Sequence, residues 1–142
     1  MFPDPTLTWQ PFPSTLDGIQ RPPFVFAYGT SRGVLYLTVL SEGRAFGLEM
    51  HCQAYFGVEE LLYSNVSHGD ETGTYDGSIY IKEAMHSALL KAQADCNSTV
   101  DVRHFLFVGG DYCYEVLSVG EPTIHAFNSD AEAVAWASQS RS

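Results

Sequence analysis

The side chains here that could carry chemistry are five histidines, three cysteines and seventeen carboxylates. A cysteine nucleophile needs a base within hydrogen-bond reach and a third group to orient that base. His104 and Cys113 flank a Gly109-Gly110-Asp111 turn, so a hairpin there could bring imidazole to thiol, with Glu115 or His125 as the orienting group. Nothing in the spacing demands that pairing, and a small apolar thiol in the core beside a histidine at a sheet edge is the commoner arrangement. His51 and Cys52 are adjacent in a strand-like stretch, where neighbours point to opposite faces, so they cannot form one site. No catalytic residue is assigned on this pattern. Glu49, Glu59, Glu60 and Glu115 are available for acid–base work, but the sequence does not bring any two of them together.

Cofactor signals are missing. There is no G-x-x-x-x-G-K, no G-x-G-x-x-G and no G-x-S-x-G. Asp70, Thr72, Thr74 and Asp76 place oxygen atoms at every second position, as a calcium loop does. Such a loop also needs acids or amides at its third and fifth positions, glycine at the sixth and glutamate at the twelfth. Those positions hold Thr72, Thr74, Tyr75 and Ile81, so a solvated loop is the better reading. No pair of Cys or His has the spacing of a structural zinc site, and neither metal nor cofactor is expected.

Charge is more informative. Seventeen acidic residues against seven basic ones give a net charge of −10. Bare nucleic acid and anionic membrane surfaces are excluded as partners, because both require clustered Lys and Arg. Between residues 57 and 77 lie Glu59, Glu60, Asp70, Glu71 and Asp76 with no Lys or Arg, and Tyr63 and Tyr75 lie among them. Tyrosine offers rigid contact area with a polar tip. These seven residues are the expected contact surface for a basic protein partner. In size, acidity and lack of a catalytic motif the chain resembles, in type, bacterial toxin-immunity and inhibitor proteins; no motif carries the resemblance to a particular family. It implies a small, acidic, non-catalytic binding protein that masks a basic partner. A small enzyme with a Cys/His site on the sheet is the first alternative. A ligand-binding module or homodimer lined by strand aromatics is the second.

The elements that must position these residues follow from periodicity. The first 23 residues hold six of the seven prolines and read as an extended arm, pinned to the domain by Trp9, Phe12, Leu16 and Ile19. Residues 24–142 form one α+β domain. Residues 24–28, 34–40 and 46–56 are expected as a three-stranded meander. The middle run is apolar throughout, as in a strand covered on both faces. In the last, Phe46, Leu48, Met50, Cys52, Ala54 and Phe56 alternate against polar residues. Residues 64–77 read as a long polar loop. Ile81, Ala84, Met85, Ala88, Leu89 and Ala92 recur at helical spacing, which predicts a helix over 78–95 capped by Asp76 or Ser78. A second meander is expected at 100–108, 112–119 and 123–127. Ser129-Asp130-Ala131-Glu132 is a capping box that starts a last helix, anchored by Val134, Trp136 and Ala137. The expected fold is an antiparallel sheet of about six strands with both helices on one face. The start lacks a basic and apolar leader pattern, no apolar run reaches membrane-spanning length, and the three widely spaced cysteines suit a reducing, cytoplasmic setting.

Overall fold

The structure, a computed structural model, describes residues 8–16, 23–31, 33–41, 43–59, 80–96, 101–109 and 112–139. Among them are β1 (Thr8–Pro11), β2 (Phe24–Ser31), β3 (Val34–Ser41), β4 (Arg44–Glu59), β5 (Ile81–His86), β6 (Val102–Phe107) and β7 (Tyr112–Phe127), with helices α1 (Ala88–Cys96) and α2 (Asp130–Ser138). The strands form one seven-stranded sheet in the order β1-β5-β6-β7-β4-β3-β2. Every neighbouring pair is antiparallel. The α+β class holds, with seven strands rather than six.

Two three-stranded meanders are present, but the second has different members. β2–β3–β4 matches the expected meander, and β5–β6–β7 replaces the expected 100–127 set. Residues 112–119 and 123–127 are one strand. Where a turn was expected, Gly120 takes a positive φ of 80° and the register against β4 slips between Glu49 and His51. The slip leaves Pro122 outside the ladder, where its missing N–H costs nothing.

Residues 81–86 are a strand, not the start of a helix. Ile81, Lys82 and Ala84 are all buried, so both faces of β5 are covered and the two-residue period disappears from the sequence. What remains, Ile81-Ala84-Met85, imitates helical spacing. The helix starts after Ser87, whose Oγ accepts the Leu90 N–H at 3.1 Å. The expected caps Asp76 and Ser78 lie outside the described residues.

The Pro-rich arm supplies an edge strand. β1 pairs with β5, Trp9 and Leu16 are buried, and the Phe12 N–H donates to the Ile81 carbonyl at 2.8 Å. Ile19 lies outside the described residues. Arg103 ties this edge together. It makes two bonds to Glu83, of 2.6 and 2.7 Å, reaches Glu121 at 3.0 Å, and lies over the rings of Phe12 and Phe105.

The core is centred on Leu35, Leu37 and Val39 of β3, in register with Met50, Leu48 and Phe46 of β4. Full burial of one such side chain stabilises the fold by about 1.5–3 kcal/mol. Beyond Cys52 the expected alternation fails. A register shift between Cys52 and Ala54 bends β4, and Ala54, Tyr55 and Phe56 are exposed. The opposite face of β3 is buried too, through Tyr36 and Thr38. There Trp136 of α2 packs edge-on against Tyr36 and at a tilt against the His125 and Phe127 rings. Gly47 lies directly beneath it, where a Cβ would overlap the indole. Ala133 and Ala137 are the buried residues of α2, alongside half-buried Val134 and Trp136. The Ser129 Oγ accepts the Glu132 N–H at 3.2 Å, while the Glu132 carboxylate reaches one residue further back than a standard box, to the Asn128 N–H. The helices stand over different strands: α2 meets β3, β4 and β7, and α1 meets β6.

Candidate functional site

β6 and β7 share the register Val102↔Val119 to Phe107↔Tyr114, so His104 stands opposite Leu117 and Glu115 opposite Leu106. His104 and Glu115 are therefore diagonal neighbours on one face, within reach of long side chains. His104 Nε2 lies 2.6 Å from Glu115 Oε1. His104 Nδ1 lies 2.9 Å from Ser87 Oγ. Trp9 of β1 meets the imidazole edge-on at 5.1 Å. His104 is 1% exposed, Glu115 3% and Ser87 7%.

The carboxylate can only accept, so Nε2 donates to Glu115. Ser87 Oγ accepts from Leu90 N–H and lies within hydrogen-bond distance of Nδ1. The chain Leu90 N–H, Ser87 Oγ, His104 and Glu115 leaves both ring nitrogens paired. Lys82 is buried on β5 in register with Leu106, and through it with Glu115, two strand spacings or about 10 Å away. Beside this network, Met85, His86, Ser87, Ala88, Leu90 and Lys91 line a depression of about 620 Å³.

The sequence-level alternatives fall elsewhere. Cys113 is buried on β7 four residues before Leu117, the partner of His104, which sets it about 13 Å away along the strand. That separation keeps the thiol from the imidazole. Glu115, a candidate orienting group, does reach His104. His51 is exposed, and Cys52 is half-buried with its thiol pushed up by burial, against a lowering hydrogen bond from the Ala54 backbone. Cys52 and Cys113 are thiols and not disulfide partners. The His125 ring lies tilted against Trp136, and its Nε2 lies 3.4 Å from Glu49 Oε1 but is too poorly aligned for a hydrogen bond. The helical spacing conceals Ser87, because it predicts a helix start at residue 78, ten residues before Ala88. The signal was present as a serine just ahead of Ala88-Leu89-Leu90, a standard N-cap position.

Of the expected partner surface, Glu59 is the last residue of β4 and stands opposite Tyr112. Glu60, Tyr63, Asp70, Glu71, Tyr75 and Asp76 lie outside the described residues. Tyr112 is 48% exposed, and Tyr55 and Phe56 are exposed on the same end of the β4–β7 ribbon. Phe24 and Phe26 are exposed on β2, the far edge strand of the sheet. Among the described residues no group of three or more His, Cys, Asp or Glu could hold a metal ion. No described helix is long and apolar enough to cross a membrane. Comparison with protein-family models, with curated proteins and with solved structures finds no match.

Proposed function

We propose that the protein is a small acidic binding protein that covers a basic protein surface, in the manner of an inhibitor or immunity protein acting in the cytoplasm. The observation that carries this reading is the end of the β4–β7 ribbon. There Glu59 is in register with Tyr112, and Tyr55, Phe56 and Tyr112 are exposed. The acid-rich stretch containing Glu60, Asp70, Glu71 and Asp76 follows Glu59 in the chain. Exposed aromatic area at the end of a strand followed in the sequence by a stretch without Lys or Arg suits a partner rich in both. A net charge of −10 would steer such a partner at a rate that falls with salt.

The test is retention of a basic protein from the source-cell lysate on immobilised protein, at low and then high salt. Retention should be lost at high salt, and lost at low salt when Tyr55 and Tyr112 are both replaced by Ala. For the retained protein, the quadruple change E59Q/E60Q/D70N/E71Q should slow association at least tenfold in stopped flow. Unchanged retention by both variants would remove the reading.

A further inference from the structure

We infer that Ser87 is an acylable serine, with His104 as its base and Glu115 as the group that orients the base, in a site for a small ester with an apolar acyl group. This inference is independent of the binding surface described above. Three features carry it. The first is the sequence of contacts, hydroxyl to imidazole at 2.9 Å and imidazole to carboxylate at 2.6 Å, which is the nucleophile–base–orienter geometry that activates a serine. The ring nitrogens are used in the opposite sense to the serine proteases, where Nε2 faces the nucleophile; either nitrogen can take the proton if the other is held by a carboxylate. The second is the neighbouring depression of about 620 Å³, a volume within the range of small-ligand sites, which has Ser87, 7% exposed, among its lining residues. Met85, Ala88 and Leu90 give that depression an apolar lining, and Lys91 adds positive charge. The third is the position of the hydroxyl at the start of the nine-residue helix α1, whose positive end favours negative charge developing beside Ser87.

The reaction balances with water as the only co-reactant. Ser87 Oγ attacks the ester carbonyl carbon, and its proton passes to His104 Nδ1 as the Oγ–C bond forms. Glu115 stabilises the resulting imidazolium through Nε2–H. The bond from carbon to the leaving alkoxide then breaks as that oxygen takes the proton from Nδ1. Water repeats the sequence on the acyl-serine, releases the carboxylic acid and restores the hydroxyl.

The full chain is treated with an excess of an alkyl fluorophosphonate and followed by intact mass and peptide mapping, with p-nitrophenyl acetate hydrolysis alongside. The expected result is one phosphonyl adduct, on Ser87, and ester turnover that the adduct abolishes. S87A should take no adduct there. H104Q, which removes the base, should slow labelling about a hundredfold or more. E115Q keeps a hydrogen-bond acceptor but not the charge, and should slow it as well. The wild-type chain alone decides the matter if a variant fails to fold: no adduct on Ser87, with the native circular dichroism spectrum intact, overturns the assignment. An adduct on Ser87 whose rate is the same in folded H104Q overturns it too.

Discussion

Two histidine–glutamate pairs use β7, and they differ in almost every physical respect. Glu115 of β7 meets His104 at 2.6 Å in a site with almost no exposed surface, and the second imidazole nitrogen is held by Ser87. His125 of β7 meets Glu49 at 3.4 Å with both side chains about two-fifths exposed, and the imidazole is positioned mainly by the Trp136 ring. Removing charge from water costs several kcal/mol per ion, so the first pair persists only because each polar atom has a partner. The second is partly exposed and poorly aligned, with His125 Nε2 itself buried without a hydrogen-bond partner among the described residues, and it carries little energy. One pair is held by chemistry that cannot be loosened without leaving an orphan. The other is a by-product of aromatic packing under α2.

The largest effect should come from breaking the buried pair. E115A leaves His104 Nε2 unpaired and should lower stability by about 3–5 kcal/mol, read from urea unfolding. A loss under 1 kcal/mol would mean that the two pairs do not differ as described. Next is a change on the exposed side that is steric and not electrostatic. G47A puts a Cβ into the Trp136 indole and should cost about 1–3 kcal/mol, with a shifted near-ultraviolet tryptophan signal as α2 is displaced. An unperturbed Trp136 signal would show that packing does not hold that helix. Under the same helix, Thr38 Oγ1 is buried with no hydrogen-bond partner among the described residues. T38V keeps the shape, removes that penalty, and should raise stability by about 1 kcal/mol. The smallest change is E49A, expected to stay within about 1 kcal/mol of wild type. Together E115A and E49A measure the same pair of residue types at two depths of burial.

The first meander was legible in the sequence because its cues are local. Short turns separate 24–28 from 34–40 and 34–40 from 46–56, and Phe46, Leu48 and Met50 alternate as a one-sided strand does. The second meander was not, because β5 is buried on both faces and its apolar residues carry no two-residue period. Gly120-Glu121-Pro122 has the composition of a turn, and only pairing with β4 along its whole length makes it a bulge within β7. The candidate site inherits the same difficulty. His104 and Glu115 were both visible as reactive types, but their contact depends on a register that places Leu117, and not Cys113, opposite His104. Ser87 joins them through the turn between β5 and α1, a boundary that the helical spacing of Ile81, Ala84 and Met85 concealed.

The β4–β7 joint has a kinetic consequence. Each meander closes through neighbouring strands, whereas Ala45 pairs with Phe127, about eighty positions later in the chain. The loop entropy of that closure is lost before the long ladder from Ala45 to Glu59 returns any of it. Folding is therefore expected to be slow for the chain length, with the two halves forming early and their union limiting the rate. Truncating Leu48 or Ile124, which face each other across the joint, should slow refolding more than it speeds unfolding. The reverse partition, faster unfolding with refolding unchanged, would place the joint after the barrier.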